Sequence, residues 1–359
     1  MLAFGTSLLS SLGLGTSASM TATAMGAGAL ERVRHLSAQL PDRANASTTG
    51  GEADGHAWWS DNEELFEAAR VEYGVLHRSL YDFEHHVADF IQPHLLAAIE
   101  DCERAAATGG RVDEEALRGL LLPAGAPNVW RLPLLTERFC SLLLEELRHY
   151  EASGIPLRRP NGMNRYGAIL DQLGLDRSLD YLSRRFLRPL GQMLYPWLIG
   201  QGDADEHYGF IVRYKPGEDV SLAEHADASV LTLNANLGIR GFTGGSLAFR
   251  GTRWVDAKPQ SMPESTVTFD DFAPGEAILH LGGQYHSAYP IESGERANLI
   301  VWLHGAHEVV RFAARDESEQ LAAEQRWAEF ATERTHQRFT GRIKEIAGHG
   351  SCTEDSREL

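Results

Sequence analysis

Histidine, aspartate and arginine side chains in the second half of the chain have the types and spacing for metal and anion chemistry. His225 and Asp227 are separated by one alanine, and side chains two residues apart point to the same face of an extended strand. With a second imidazole from a later strand, for which His286 is the candidate, they form a two-histidine, one-carboxylate set. That set is typical of non-heme iron(II) and leaves coordination positions open. Arg296 follows shortly after and offers a permanent, forked cation suited to a carboxylate.

Short extended segments must position these side chains. Turns are indicated at Pro216-Gly217, Gly244-Gly245 and Pro274-Gly275. Between them, residues that favour extended structure predict strands over 210–214, 229–234, 246–249, 277–281 and 298–303. Short strands with frequent turns favour an antiparallel jelly roll, or double-stranded β-helix, which can hold one small molecule between its sheets.

The motifs in this stretch resemble those of the Fe(II)/2-oxoglutarate-dependent dioxygenases of the prolyl and lysyl hydroxylase type. They are R-Y at 213–214, H-x-D-x-S-x-x-T-x-N at 225–234, F-x-G-G-x-L-x-F at 242–249, the distal histidine, and G-x-R-x-N-L at 294–299. Upstream, the segments 128–133, 159–167 and 186–190 are similar to the "2-oxoglutarate and iron-dependent oxygenase domain-containing protein 2" family. The likeness covers roughly residues 59–304.

The resemblance implies a role for each site residue. His225, Asp227 and His286 would bind Fe(II), and Arg296 would pair with the distal carboxylate of 2-oxoglutarate. Tyr214 and Asn234 match positions that hydrogen-bond this co-substrate, and Thr232 is a weaker candidate on the face of Asn234. O₂ would take the remaining coordination position, and L-ascorbate would serve as the reductant of stalled iron.

The second histidine ligand has an alternative in His280. It also lies near the end of a predicted strand, so spacing alone does not separate it from His286. The family pattern places the ligand after Gly282-Gly283, which selects His286 and leaves His280 as a packed strand residue.

The implied reaction is hydroxylation of a C–H bond with decarboxylation of 2-oxoglutarate to succinate and CO₂. The first hypothesis for the substrate is a protein or peptide side chain, and the alternative is a small-molecule metabolite. A non-catalytic jelly-roll binding module is a third hypothesis, but the complete set of ligands and the arginine argue against it.

The predicted fold class is α+β, with a jelly-roll core braced by N-terminal helices. The sequence predicts a disordered or targeting leader at 1–55, a helical region at 56–205, the dioxygenase domain at 206–307, and a helix with a loose tail at 308–359. Helical patterns run from 58 to 91, after Thr136 to Ser153, and from 179 to 194 with a kink at Pro189. The loop 155–167 carries Arg158, Arg159, Arg165 and two asparagines. It is predicted to lie at the rim of the iron pocket and to contact the prime substrate.

Charge, hydropathy and cysteine content limit the classes of partner and the cellular setting that the sequence predicts. The 359 residues carry a net charge of −17, from 33 basic and 50 acidic side chains, so a nucleic-acid backbone would be repelled. No apolar run of about 18 residues predicts a membrane helix. Cys102, Cys140 and Cys352 match neither a disulfide framework nor a zinc pattern, which fits a reducing, intracellular setting. Organellar targeting by residues 1–30 is the alternative, and the oligomeric state is left open.

Overall fold

The computed structural model describes residues 28–37, 61–110, 114–195 and 206–304, the last with gaps at 228, 239–240, 252–253, 256–257, 260–266 and 270–271. The α-helices of these parts are α1 Ala29–Ser37, α2 Glu63–Glu72, α3 Val87–Phe90, α4 Pro93–Ala107, α5 Glu115–Gly119, α6 Glu137–Ser153, α7 Asp176–Leu182 and α8 Arg188–Leu194. Short 3₁₀ turns lie at Arg78–Tyr81 and Leu170–Leu173.

The longest helix, α6, is stabilised at both ends by local sequence. The side chain of Thr136 accepts a hydrogen bond from the backbone N–H of Phe139, which satisfies one of the otherwise unpaired donors of the first turn. Gly154 ends the helix in the left-handed conformation, with φ of 80°. Its apolar face, including Leu143 and Leu147, is buried. The predicted limits of this helix are confirmed.

The prediction of one continuous helix over 58–91 is wrong. α2 ends at Glu72, and the chain then turns around one buried carboxylate. Glu146 on α6 accepts hydrogen bonds from the hydroxyls of Tyr73 and Tyr81 at 2.7 and 3.1 Å, and from backbone N–H groups of residues 76 and 77. These tertiary bonds replace the helical ones, and apolar residues such as Leu80 and Phe83 are buried without a continuous helix.

The predicted helix at 179–194 is longer and is interrupted ahead of its proline. α7 passes into one π-helical turn, Ser183–Leu187, and α8 continues with Pro189 near its first position. Pro189 has no N–H to donate, and the first turn of a helix tolerates this loss.

A short helix lies inside the segment predicted as a disordered or targeting leader. α1 buries Val33 and packs on α2, and the carboxylate of Glu72 accepts from its first N–H groups at 2.6 and 2.9 Å. Arg34 donates to the carbonyl of Ser153 at 2.6 Å. Residues 29–37 are therefore folded, so the disordered alternative is wrong for this stretch, whereas targeting stays a prediction. The rest of the predicted leader and the predicted C-terminal helix and tail lie outside the described residues.

The strands form two antiparallel sheets and two short ribbons. The strands are β1 Leu122–Pro123, β2 Val129–Pro133, β3 Gly167–Ile169, β4 Glu206–Tyr214, β5 Leu222–His225, β6 Leu231–Asn236, β7 Thr243–Gly244, β8 Leu247–Gly251, β9 Trp254–Val255, β10 Lys258–Pro259, β11 Val267–Phe269, β12 Glu276–Leu281, β13 Tyr285–Ala288, β14 Ile291–Ser293 and β15 Arg296–His304. The larger sheet has the order β1-β2-β12-β6-β15-β4-β3, and the smaller has β11-β8-β13-β5. β7 pairs with β14, and β9 with β10. The described chain is thus a mixed helical and antiparallel-sheet fold, as predicted in its coarse class.

Alternation along the central strands divides the core into two layers. On β15, Leu299 and Val301 pack into the cluster shared with the helices, whereas Ile300 and Trp302 pack into a second cluster with residues of the smaller sheet, such as Phe249. A side-chain period of two produces this division. The helices therefore cover one face of the seven-stranded sheet, and its other face looks toward the four-stranded sheet. None of the described helices combines the length and apolar character needed to cross a membrane.

Candidate metal site and adjoining cavity

The structure brings His225, Asp227 and His286 together at one end of a cavity between the two sheets. Their candidate ligand atoms all lie within 4.8 Å of one another, and among the described residues they form the one such group. Nε2 of His225 is 3.3 Å from one carboxylate oxygen of Asp227, and Nε2 of His286 is 3.7 Å from the other. Ligand atoms about 2.1 Å from an ion and at right angles to each other would lie roughly 3 Å apart. The two distances to the carboxylate of Asp227 are therefore close to the spacing of adjacent ligands on one ion.

Strand pairing fixes the two imidazoles. His225 ends β5, and His286 lies directly opposite it on β13. Nδ1 of His225 lies 2.9 Å from the carbonyl of Ala223, and Nδ1 of His286 lies 2.9 Å from the carbonyl of Gln284. A carbonyl can only accept, so each Nδ1 carries a proton, and in the neutral imidazole the lone pair is at Nε2. This is the tautomer that a metal bound at Nε2 requires.

The carboxylate of Asp227 is held by its surroundings. The hydroxyl of Thr232 donates to it at 2.7 Å, and Ser229 lies 2.8 Å from that hydroxyl. The backbone N–H of Asp227 donates to the carbonyl of Gly282 at 2.8 Å. Oriented in this way, the carboxylate faces both imidazoles, and Thr232 gains a definite role in the arrangement.

Burial and mutual charge set the protonation of this group. Burial alone would raise the pKa of Asp227, but His286 and then His225 outweigh it, and its pKa lies well below the ordinary value. Burial lowers the pKa of His286 to about 3 despite the opposing charge of Asp227. For His225, burial acts downward, but the hydrogen bond and charge of Asp227 prevail and its pKa is raised. At neutral pH the centre therefore presents an ionised carboxylate and a neutral His286.

His280 lies almost as close to Asp227 as His286 does. Its Nε2 is 3.9 Å from the same carboxylate oxygen, against 3.7 Å for His286. However, His280 belongs to β12 of the larger sheet, has no exposed surface and does not line the cavity. Its ring packs edge-on against Phe249. The geometry thus favours His286 as the accessible donor and His280 as a packed strand residue.

Arg296 lies at the other end of the cavity as a buried cation. It is 2% exposed, and Nη1 donates to the carbonyl of Gly245. Gly245 has a φ of 72°, and a Cβ there would approach Nη1 to 3.3 Å, so glycine permits this contact. Nε has no hydrogen-bond partner, and no carboxylate of the described residues pairs with the guanidinium. Burial lowers the pKa of Arg296, because a charged group loses hydration there.

The remaining two predicted site residues line the same cavity. Tyr214 lies opposite Arg296 on β4, with the guanidinium carbon 4.9 Å from the centre of its ring. Asn234 on β6 accepts a hydrogen bond from the side chain of Asn298 at 2.6 Å. The same cavity is lined by His225, Asp227, His286 and Arg296. All six residues singled out from the sequence therefore border one space.

Sequence reasoning missed several other lining residues. Asn298 and Trp302 lie on the strand face of Arg296, and Phe210 lies on that of Tyr214. Counting in steps of two from the arginine and the tyrosine would have found all three, since alternate residues of a strand share a face.

The loop at 155–167 reaches the cavity as predicted, but through its asparagines. Asn161 and Asn164 line the space, whereas none of the loop's three arginines does. The guanidinium of Arg159 instead donates to the carbonyls of Asn161 and Gly162 within the loop. Contact with a prime substrate stays a prediction.

Comparisons with known proteins show what this chain is similar to. Residues 70–200 match the family model described as an OGFOD2-like domain. A human protein named "2-oxoglutarate and iron-dependent oxygenase domain-containing protein 2" is 45% identical over 180 residues, which are 50% of this chain and 49% of that protein. A mouse protein named "Procollagen-lysine,2-oxoglutarate 5-dioxygenase 1" is 29% identical over 193 residues, 51% of this chain and 24% of that protein. A solved prolyl-4-hydroxylase from Pseudomonas putida is 18% identical and has a TM-score of 0.35; the match covers 60% of this chain and 96% of that one.

These matches confirm the resemblance predicted from the motifs. The human relative is named for a 2-oxoglutarate- and iron-dependent oxygenase domain, and the matched family model falls within the stretch where the likeness was found. The chain spans about half the length of the human relative that it matches.

Proposed function

We propose that this protein, which carries an OGFOD2-like domain and resembles 2-oxoglutarate- and iron-dependent oxygenases, is itself an Fe(II)- and 2-oxoglutarate-dependent oxygenase. The observation that carries the proposal is the pairing of two features in one cavity. A two-histidine, one-carboxylate set lies at one end, and a buried arginine without a carboxylate partner among the described residues lies at the other. A co-substrate with a chelating 2-oxo acid and a distal carboxylate matches both features.

The residues present fit these groups. The donor set of His225, Asp227 and His286 is the one that non-heme Fe(II) oxygenases use, and each imidazole already presents Nε2. The orphaned Nε of buried Arg296 is a donor that a distal carboxylate would satisfy. Bound iron would supply the activation of O₂, with 2-oxoglutarate giving succinate and CO₂ and with ascorbate as the reductant.

The protein's own residues then bind, orient and exclude water. Thr232 keeps the carboxylate of Asp227 turned toward the metal position, and the strand register keeps the two imidazoles on the same side of it. Arg296, Tyr214 and Asn234 would bind the co-substrate. The apolar walls, among them Phe210, Leu247 and Trp302, keep the space dry. No side chain has to act as an acid or base, because the cofactors carry the chemistry.

The finer parts of the proposal concern the core and the prime substrate. Two facing antiparallel sheets with the site between them support a double-stranded β-helix. For the substrate we propose a side chain of a protein or peptide, since one relative is named as a procollagen-lysine dioxygenase. The reaction would be hydroxylation of a C–H bond.

The test measures turnover of labelled 2-oxoglutarate by the iron-loaded protein. One arm contains a peptide library, and a separate arm contains a metabolite pool. We expect release of labelled CO₂ and succinate that the peptides stimulate, together with a mass gain of one oxygen on a peptide. Asp227→Ala is the matched control, which should release neither product. Stimulation by metabolites alone would overturn the peptide assignment. No binding of 2-oxoglutarate and no turnover in any arm would overturn the oxygenase itself.

A further inference from the structure

We propose that Asn164 is a positioning residue that turns the hydroxyl of Tyr214 toward the anion bound by Arg296, and that Asn161 sets the orientation of Asn164. The inference rests on the proposed function and deepens it. It assigns a task at the co-substrate end of the cavity to two residues of the 155–167 loop, which belongs to the helical region and not to the strands that carry the other ligands.

The first step is the contact between the loop and the tyrosine. Asn164 has no exposed surface, and its side-chain Nδ2 donates to the hydroxyl oxygen of Tyr214 at 3.3 Å. Both residues line the cavity with Arg296. The loop is fixed there by a second bond, in which the hydroxyl of Tyr208 donates to the carbonyl of Pro160 at 2.9 Å.

The second step is the direction of the amide of Asn164. Its Oδ1 accepts a hydrogen bond from Nδ2 of Asn161 at 3.1 Å. Asn161 is itself held, because its Oδ1 accepts from the backbone N–H groups of Met163 and Asn164 at 2.8 and 2.7 Å. With its oxygen engaged in this way, Asn164 presents its NH₂ group to Tyr214. A flipped amide would present the oxygen instead.

The third step follows from the single proton of a phenol. A Tyr214 oxygen that accepts from Asn164 keeps its own O–H for a different acceptor. Burial raises the pKa of Tyr214, so the phenol keeps that proton at neutral pH. Arg296 lies over the ring and offers only donors, so it cannot be the acceptor. An anion at the free Nε of Arg296 can accept from both.

The consequence is a two-donor site for a carboxylate in which one donor is oriented by the loop. Without Asn164, the O–H of Tyr214 can turn away from the cavity, and affinity is lost through the tyrosine. Loss of Asn161 has the same effect in weaker form, because the amide of Asn164 can then flip.

The experiment is a double-mutant cycle on binding, measured without turnover. The protein is loaded with Mn(II) in place of iron, and the Kd for 2-oxoglutarate is measured by isothermal titration calorimetry. Tyr214→Phe should weaken binding by about 10- to 100-fold, as expected for the loss of a hydrogen bond to a charged group. Asn164→Ala should weaken it by about 3- to 10-fold. In the Tyr214→Phe background, Asn164→Ala should change the Kd by less than about twofold, because the two side chains act as a unit.

Two further variants keep the cycle decisive. Asn161→Ala leaves Asn164 in place and serves if Asn164→Ala does not fold; it should also lose affinity only when Tyr214 is present. Met163→Ala, at a half-exposed position of the same loop, should leave the Kd unchanged. Losses that multiply in the double variant, or no loss in either asparagine variant, would overturn the positioning role while leaving the oxygenase intact. No binding of 2-oxoglutarate to the parent protein would instead overturn the proposed function.

Discussion

The two ends of the cavity differ in whether their buried charge has a partner within the protein. At the metal end, the carboxylate of Asp227 accepts a hydrogen bond from Thr232 and raises the pKa of the neighbouring His225, so its charge is partly compensated within the fold. At the other end, the guanidinium of Arg296 is as deeply buried but has no carboxylate partner among the described residues, and its Nε lacks any hydrogen bond. Both ends border the same space.

This difference indicates what each end requires of a ligand. A compensated group is stable before its ligand arrives, whereas a buried, unpaired charge costs free energy until an anion pairs with it. The metal end should therefore be preformed and sensitive to geometry. The arginine end should lower the stability of the empty protein and recover that loss when the co-substrate binds.

The largest expected effect is at the metal end. His286→Ala removes one of three metal ligands, so the affinity for Mn(II) or Fe(II) should fall by more than about 100-fold, since losing only an outer partner of a ligand already costs 10- to 100-fold. Release of succinate should disappear with it. Metal titration followed by a turnover assay measures both.

The matched control for His286→Ala is His280→Ala. His280 lies at nearly the same distance from the carboxylate but outside the cavity lining. It should keep its metal affinity within about tenfold, a smaller loss than that of an outer partner. Equal losses in the two variants would show that the third ligand is wrongly assigned.

The second effect tests the arginine end. Arg296→Gln should raise the KM for 2-oxoglutarate by roughly 30- to 4,000-fold, the range for truncating one partner of a buried charge pair. The melting temperature of the ligand-free variant should not fall, because an unpaired buried charge has been removed. Saturating 2-oxoglutarate should raise the melting temperature of the parent protein but not that of the variant.

Arg213 is the matched control for Arg296→Gln. It precedes Tyr214 on β4 and bonds to Glu151 and Glu218, each at 3.0 Å. Arg213→Gln should therefore lower the melting temperature and leave the KM unchanged. The opposite result, a KM effect at Arg213 and a stability loss at Arg296, would remove the contrast between a paired and an unpaired arginine.

A smaller effect is expected one bond away from the metal. Thr232→Val keeps the shape of the side chain but removes the donor to Asp227, so metal affinity should fall by about tenfold, the lower end of the range for outer partners. Thr232→Ser keeps the hydroxyl and should therefore keep the metal affinity of the parent protein. An unchanged affinity in the valine variant would mean that the backbone bond from Asp227 to Gly282 holds the carboxylate by itself.

The strands and their site residues were predictable because their signal is local. Tyr214 and Arg296 could be placed facing one pocket from strand periodicity and family motifs, and the register puts them opposite each other. The choice between His280 and His286 could not be made from spacing, because both lie near the end of a predicted strand. In the structure both come within 4 Å of Asp227, and they differ in the sheet to which each belongs and in access to the cavity.

The helical half was less predictable because its determinants are tertiary. The apolar pattern over 58–91 suits a helix, yet the chain leaves it to surround Glu146, a residue more than fifty positions further along. The helix at 29–37 is similar: its first N–H groups depend on Glu72, outside any local window. The contact of Asn164 with Tyr214 also joins distant segments, so sequence patterns gave the loop's place but not its chemistry.

The smallest expected effect is on how metal binding varies with pH. A metal at Nε2 displaces any proton there, so each imidazole that is protonated in the free protein must release one. The pKa of His286 is about 3, and that of Asp227 lies well below its ordinary value, so neither holds a proton near neutral pH. The pKa of His225 is raised by Asp227, so His225 alone should compete. As the pH increases toward that pKa, Mn(II) affinity should rise by about tenfold per pH unit, and above that pKa the affinity should level off.

Calorimetry in buffers of different ionisation enthalpy counts the protons released on metal binding, and we expect at most one. A count approaching two at pH 6 would show that the pKa of His286 is not depressed, and that the metal end is less preformed than its contacts indicate.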